Sequence, residues 1–165
     1  MTDYLRIAER ELLRFTQQVF EAVEVPADIA ATVAANLVAG EVHGLGSHGP
    51  SRLLRPYVAR FRQGGTKRQP DIGVVNRSRG CAVVDGDNGP GAGGGEFAMN
   101  LAIELAREHG SGWVSVRNSN HYGIAGYYAM MALDHDMIGF STTDADVLVV
   151  PTFSRDAMYG TNPLA

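Results

Sequence analysis

Two histidines and an arginine lie in short polar segments whose residue types suit proton transfer. His121 lies within Asn118–Gly123, just after an apolar run, among side chains that can orient its ring. His48 lies in the run Ser-His-Gly-Pro, and Arg52 follows it by four residues. An imidazole exchanges protons near neutral pH, and a guanidinium holds a carboxylate through two hydrogen bonds. These residues predict a site that moves a proton while it grips a carboxylate.

The spacing between His48 and Arg52 has two interpretations. Residues four apart on a helix share one face, so an imidazole and a guanidinium there converge on one small ligand. In a 2-hydroxy or 2-oxo acid the reacting oxygen and the carboxylate sit on adjacent carbons, which fits such a pair. The structural alternative is a capping Ser-His pair followed by a solvated arginine on a surface helix. The residues alone leave both interpretations open.

The other three histidines are not site candidates. His43 precedes His48 by five residues, off its helical face, and we expect a structural role for it. His109 and His135 fall near the predicted ends of helices, where a cationic side chain is favourable.

A glycine-rich segment, Gly89–Gly94, formally matches the G-x-G-x-x-G dinucleotide fingerprint after a strand and before a helix. That fingerprint requires an acidic residue about twenty positions on, at the end of the next strand. Here the next strand ends in Val116-Arg117-Asn118, and Pro90 removes an amide that a phosphate cradle would use. We favour a tight turn with close backbone approach, and a phosphate role is the alternative.

Composition excludes several classes of protein. The chain has 165 residues, of which 45% are hydrophobic, and a formal net charge of −4, which describes a soluble globular protein with a real core. No apolar run is long enough to span a bilayer, and the charged amphipathic start is not a signal peptide, so we expect a cytoplasmic location. The absence of a basic block argues against nucleic acid. Cys81, the lone cysteine, is predicted to be a small core residue.

The apolar spacing predicts an α/β protein with a helical start. Three helical stripes, the second opening at Pro26-Ala27-Asp28 and the third near Pro50, form a helical subdomain over residues 1–66. Residues 67–165 alternate strands and helices, which predicts part of an α/β domain. The predicted elements are strands at Cys81–Val84, Trp113–Val116 and Ile138–Thr142, and helices at Glu96–His109 and Ala125–His135.

Four ordered motifs resemble the malate/L-lactate dehydrogenase family of the second type. They are Glu41–Gly49 with Arg52 and Tyr57, then Val84–Gly89, Val116–Gly123 and Gly160–Pro163. The resemblance runs from about residue 30 to the end of the chain.

The resemblance implies a nicotinamide-binding α/β fold without a Rossmann domain, a homodimer, and hydride transfer between NAD or NADP and a 2-hydroxy acid such as malate or lactate. His48 would be the proton donor and acceptor, Arg52 the carboxylate clamp, and His121 a second pocket histidine that is the acid/base group in some relatives. The implied cofactor contacts are Ser47, His121, Gly123, Thr161, Asn162 and Pro163.

Two features depart from the family pattern. Where relatives often have Thr-Asn-Ser, this chain has Thr143-Asp144-Ala145 and so lacks a serine hydroxyl near the cofactor. The chain also ends just after Gly160–Pro163, so we expect about half of such an enzyme, and a non-catalytic truncated fragment or binding module is the alternative function.

Two other enzyme classes find little support in the sequence. A metal-dependent lyase or hydrolase would use His43, His48 and His121 as ligands, but no H-x-x-x-H or clustered carboxylate spacing accompanies them, so we expect no metal. A serine hydrolase built on Ser47 lacks the G-x-S-x-G elbow, because Leu45 occupies the first glycine position.

Overall fold

The computed structural model describes residues 6–165, apart from the side chain of residue 53. The chain divides into two compact units, one ending at Ile124 and the other spanning Ala125–Ala165. The predicted boundary after residue 66 falls inside the first unit and stays a prediction.

Three helices open the first unit, as the apolar spacing predicts: α1 (Glu9–Glu21), α2 (Ala27–Val42) and α3 (Pro50–Arg62). Helix α3 begins with Pro50, whose missing N–H is not needed in a first turn, and ends just before Gly64, which has a φ of +73°. The three helices share one apolar core with Ala92 of a later helix. Its buried members are Phe20, Val23, Val25, Ala30, Val33, Leu37, Tyr57, Phe61 and Ala92.

A small mixed sheet follows the helices in the order β1 (Gly73–Ser78), β2 (Cys81–Gly89) and β3 (Trp113–Ser119). Strands β1 and β2 form an antiparallel hairpin, whereas β2 and β3 run parallel and are joined through helix α4 (Gly91–His109). The core of this layer consists of Ala82, Val84, Leu101 and Leu105, with Ile72, Val114 and Val116 packed against it. The α/β fold class is therefore confirmed.

The segment Gly91–Gly95 is the first turn of α4, not a loop. The helix thus begins five residues before the predicted Glu96. Gly91, Ala92 and Gly94 are buried in that turn, so tertiary packing offsets the low helix propensity of glycine.

Cys81 is exposed, so its predicted place in the core is wrong. Alternate residues of a strand face opposite sides, and in β2 the buried face carries Ala82, Val84 and Gly86. Strand β1 was not predicted, because five of its six residues are exposed and show no apolar alternation.

The second unit contains helix α5 (Ala125–Met131), followed by a 3₁₀ turn at Leu133–His135. The predicted single helix over 125–135 is therefore interrupted. The predicted strand at Ile138–Thr142 is wrong for the described residues, since Thr142 makes one isolated bridge, to Leu164. Ile138 is 99% exposed, so it has no packed face to favour a strand.

Candidate active site

His121 is placed by the junction between β3 and the start of α4. A Cβ on Gly91 would lie 2.1 Å from the carbonyl oxygen of Asn120 and 2.7 Å from that of His121. Only glycine allows this approach, so the first turn of α4 can pack directly against the backbone of Asn120 and His121. This geometry supports the close-approach interpretation of the glycine segment, because carbonyl groups of the chain itself cover Gly91.

Two groups converge on Nδ1 of the His121 ring. The backbone N–H of Gly123 donates to Nδ1 at 3.2 Å, and the hydroxyl oxygen of Tyr57 lies 2.6 Å from the same nitrogen. A backbone amide can only donate, so Nδ1 acts as the acceptor and the ring proton belongs on Nε2. Gly123 itself is buried and has a φ of +78°.

Tyr57 is a site residue that the sequence analysis named only as part of a family motif. Burial raises the pKa of its phenol, an effect that the nearby Arg60 partly opposes, so the hydroxyl stays protonated. The phenol also reaches the carbonyl oxygen of His121 at 3.3 Å. No local signal pointed to this contact, because the two residues lie 64 positions apart.

His48 occupies a 3₁₀ turn (Gly46–His48) that precedes α3. Its ring stacks on the His121 ring, with centroids 5.5 Å apart and an interplanar angle of 25°. The Oγ atom of Ser47 lies 2.9 Å from Nδ1 of His48. The structure therefore brings together the two histidines that the sequence analysis selected, with Ser47, an implied cofactor contact, hydrogen-bonded to one of them.

Arg52 is exposed near the start of α3. Gly49 is extended, with φ −88° and ψ 173°, and separates the turn of His48 from the helix of Arg52. The expectation that these two residues share one helical face is therefore wrong. The Arg52 side chain forms no ion pair with the residues that the structure describes.

Asn120 ties the His121 segment to its neighbours and was not predicted as a support. Its Nδ2 donates to the carbonyl oxygens of Asn88 and Gly89, at 3.0 and 2.9 Å. Its Oδ1 accepts from Nη2 of Arg60 at 3.0 Å. The polar segment around His121 is thus bonded on one side to the end of β2 and on the other to α3.

The predicted cofactor contacts Thr161, Asn162 and Pro163 belong to the second unit, where Asn162 and Pro163 accept hydrogen bonds from the Thr142–Ala145 segment. Asn162 Oδ1 accepts from the backbone N–H of Ala145 at 3.0 Å, and the Pro163 carbonyl accepts from Thr142 Oγ1 at 2.9 Å. Thr161 is exposed. Ala145, where the resemblance led us to expect a serine, therefore contacts Asn162 through its backbone N–H.

Within residues 6–165 no cluster of three or more His, Cys, Asp or Glu side chains has the geometry to hold a metal ion. Across the same part of the chain, every helix is too short or too polar to cross a bilayer.

Two stacked imidazoles, one of them held by a tyrosine and a backbone amide, provide groups that can exchange or donate a proton. Residues 7–165 match the family model for malate/L-lactate dehydrogenase. The chain belongs to the malate/L-lactate dehydrogenase family, which confirms the resemblance seen in the motifs.

Relatives agree with this assignment. The chain is 45% identical to malate dehydrogenase of Pyrococcus abyssi over 163 residues, which is 99% of this chain and 45% of the relative. It is 39% identical to L-sulfolactate dehydrogenase of Methanocaldococcus jannaschii over 95% of this chain and 44% of the relative. The solved structure of malate dehydrogenase from Pyrococcus horikoshii OT3 superposes with a TM-score of 0.94 at 41% identity, covering 99% of this chain and 47% of that one. The chain spans about half the length of the relatives it matches.

Proposed function

We propose that the protein is a nicotinamide-dependent oxidoreductase that transfers a hydride between NAD or NADP and a 2-hydroxy or 2-oxo acid such as malate or lactate. The observation that carries the proposal is the stacked pair of His48 and His121, with Nδ1 of His121 held by Gly123 and Tyr57. This arrangement leaves Nε2 of His121 as a directed N–H donor beside a second imidazole. The names of the relatives, which include malate, sulfolactate and ureidoglycolate dehydrogenases, support the same substrate class.

The two imidazoles have different roles in this proposal. Loss of the Nε2 proton from His121 while Nδ1 remains an acceptor would leave an imidazolate, so His121 donates a hydrogen bond to the substrate oxygen and keeps its proton. The neighbour of His48 Nδ1 is the hydroxyl of Ser47, which can donate or accept. The His48 ring can therefore change protonation state with its partner in place, and it exchanges the substrate proton.

Arg52 is proposed to hold the substrate carboxylate. Its exposed guanidinium has no ionic partner among the described residues, and a planar fork matches a carboxylate with two hydrogen bonds. Fixing the carboxylate orients the adjacent C2 and its oxygen toward the imidazoles, which is the positioning that lowers the barrier.

The nicotinamide would be held by the segments that the family resemblance assigns to it. The α4 N-terminus does not fit the cofactor phosphates, because the carbonyls of Asn120 and His121 cover Gly91. The groups around His121 do fit the nicotinamide ring and the substrate, since the Nε2–H of His121 and the His48 imidazole lie at a partly open surface. When bound, NAD or NADP supplies the hydride acceptor or donor. The proposed contacts are Ser47, His121, Gly123, Thr161, Asn162 and Pro163.

The step balances with these residues. In the oxidising direction the hydride lost from C2 would be taken up by NAD or NADP, held by the contacts proposed above. The hydroxyl proton passes to His48, the C2–O bond becomes a carbonyl, and His121 stays hydrogen-bonded to that oxygen. Reduction is the reverse, with His48 returning the proton.

We also propose that the protein acts as a homodimer in the cytoplasm, with no nucleic-acid or membrane partner. Support for the dimer comes from the family resemblance and from exposed apolar side chains in the second unit, such as Leu148 at 73% exposure and Val147 at 56%. Light scattering on the purified protein tests this, and a monomer at micromolar concentration would overturn it.

The experiment that tests the function is a panel of 2-oxo acids, including pyruvate and oxaloacetate, assayed with NADH and NADPH. The assays use the purified protein. In parallel, titration with NADH and with NADPH measures cofactor binding. Turnover of at least one 2-oxo acid is expected. Cofactor binding without turnover would support the non-catalytic binding module instead, and absence of both would overturn the proposal.

A further inference from the structure

Two residues of helix α2 contact the backbone segments that carry His48 and His121. Gly40 faces the His48 turn, since a Cβ at position 40 would lie 2.9 Å from the His48 carbonyl oxygen and 3.1 Å from its carbon. Asn36, which is 1% exposed, faces the segment after β3. Residues 36 and 40 are four apart, so they lie on one face of α2, one turn from each other.

The contact between Asn36 and Gly123 leaves no space for a side chain. A Cβ on Gly123 would lie 1.6 Å from Oδ1 of Asn36, and the same Oδ1 accepts from the backbone N–H of Ile124 at 3.4 Å. The amide of Asn36 therefore fixes the path of the backbone at residues 123 and 124. That backbone supplies the N–H of Gly123 that donates to Nδ1 of His121.

The next residue of α2 also holds the His48 turn. A Cβ on Gly49 would lie 1.7 Å from Oε2 of Glu41, and the same oxygen accepts from Oγ of Ser51 at 3.2 Å. One helix thus contacts the backbone at His48 and Gly49 and the backbone that orients the His121 ring.

We propose that α2 sets the separation and orientation of the two imidazoles, with Asn36 and Gly40 as its positioning residues. Residues one turn apart on a rigid helix stay at a fixed distance from each other. The segments that carry the two rings are therefore positioned by the same helix. The inference rests on the proposed function for its kinetic consequence, and on the geometry alone for its structural one.

The test compares Asn36→Leu and Gly40→Ala with Ala31→Gly. Leucine keeps the approximate size of asparagine but removes the acceptor, and alanine at position 40 pushes against the His48 carbonyl. Residue 31 is half-buried, and nine helical positions of 100° place it opposite residue 40, so glycine there weakens α2 without touching either histidine segment. Unfolding measurements identify a variant that no longer folds.

Two readouts are made on each folded variant. Nitrogen-15 NMR of labelled histidine reports the His121 tautomer, and NOEs between the His48 and His121 rings report their separation. We expect Asn36→Leu to populate the Nδ1-protonated form of His121, and Gly40→Ala to weaken the ring-to-ring NOEs. Both should lower kcat/KM for a 2-oxo acid by about 10²-fold, mainly through kcat, because a displacement of about 1 Å has that effect. Ala31→Gly should retain the parent tautomer, NOEs and kcat/KM.

Asn36→Asp, which retains Oδ1, should recover part of the kcat that Asn36→Leu loses. Folded Asn36→Leu and Gly40→Ala proteins with the parent tautomer and ring NOEs would overturn the inference. If the parent protein turns over no 2-oxo acid but the NMR changes occur as stated, the proposed function fails and the positioning role of α2 stands. If the parent protein turns over a 2-oxo acid but the variants keep the parent tautomer and ring NOEs, the positioning role of α2 fails and the proposed function stands.

Discussion

The hydroxyl of Tyr57, on α3, lies 2.6 Å from Nδ1 of His121. The two rings meet nearly edge to face, with centroids 5.9 Å apart and an interplanar angle of 67°. Because burial raises the pKa of the phenol, Tyr57 remains a donor and the ring of His121 keeps its proton on Nε2. This contact, between a core residue of α3 and an exposed imidazole, connects the packing of the first unit to the orientation of a proposed active-site group.

Tyr57 should make the protein sensitive to alkali. Its pKa in the folded state lies above the ordinary phenol value of 10.0, so above that pH the unfolded chain loses the phenolic proton before the folded chain does. The folded state then holds more protons, and the free energy of unfolding falls as pH rises. Below that pH the contribution is fully present.

We expect Tyr57→Phe to flatten this alkaline slope while costing about 1 kcal/mol of stability near neutral pH, from the lost hydrogen bond. Urea unfolding at a series of pH values measures both effects. The control is Tyr159→Phe, whose ring is 58% exposed in the second unit. An identical slope in the parent and in Tyr57→Phe would contradict the account of the buried phenol.

Replacing Arg52 by lysine should weaken substrate binding although the charge is kept. A point-charge ammonium cannot form the two parallel hydrogen bonds that a carboxylate accepts from the guanidinium fork, so KM should rise by about tenfold or more. Arg55→Lys is the matched control, because Arg55 is also exposed on α3. Steady-state kinetics decide, and equal KM values for the two variants would remove Arg52 from the site.

The two histidines should differ in the kinetic effects of their replacement. His48→Ala should lower kcat by about 10²–10⁴-fold, the usual contribution of a positioned general acid, and leave nicotinamide binding nearly intact. His121→Gln, which can place an amide N–H near the former Nε2, should retain more kcat than His121→Ala. His43→Ala, at the exposed end of α2, serves as the control. If His121→Ala lowered kcat more than His48→Ala, and His48→Ala lowered it hardly at all, His121 would be the proton-exchanging group and His48 the hydrogen-bond donor.

Asp85 should make the first unit sensitive to acid. The backbone N–H of Asp87, the amide of Asn118 and the guanidinium of Arg117 hold the pKa of this carboxyl below its ordinary value. Stability from these contacts is therefore present above the unfolded value of 3.8 and is lost as pH falls through the lower folded value.

Asp85→Asn should therefore reduce the slope of unfolding free energy against pH between about pH 5 and pH 2. Denaturant unfolding across this range measures the slope, and Asp146→Asn, which removes an exposed carboxylate of the second unit, is the comparison. If both variants follow the parent curve, the contacts of Asp85 do not contribute to acid stability.

Local patterns predicted the helices well and the strands less well. Helices α2 and α3 follow from apolar spacing, the proline at position 50 and the glycines after each helix, all of which act within a few residues. Strand β1 carries no such signal, because it is held by pairing with β2 and not by burial. The run at Cys81–Val84 indicated a strand, but only its pairing and packing decide that Cys81 faces outward.

The chemistry of the site was predicted in part. Residue types identified His48 and His121, but their stacking depends on α2, α3 and the end of β3 meeting in three dimensions, which no spacing rule reports. Helical arithmetic wrongly placed His48 beside Arg52, because Gly49 is extended and breaks the periodicity. The sequence did not predict a role for Asn36. Its role depends on the backbone that its amide contacts, which belongs to a segment 88 positions further along the chain.

Deuterium transfer from the cofactor to the substrate is the sharpest test of the proposed hydride transfer. The purified protein is given a 2-oxo acid and NADH or NADPH that carries deuterium on the transferred C4 position, and the product is analysed by NMR. Direct hydride transfer predicts one deuterium at C2 of the 2-hydroxy acid, formed at a rate that His48→Ala lowers by about 10²-fold or more. A product whose C2 hydrogen comes from solvent, or cofactor binding with no 2-hydroxy acid formed from any member of the panel, would contradict it.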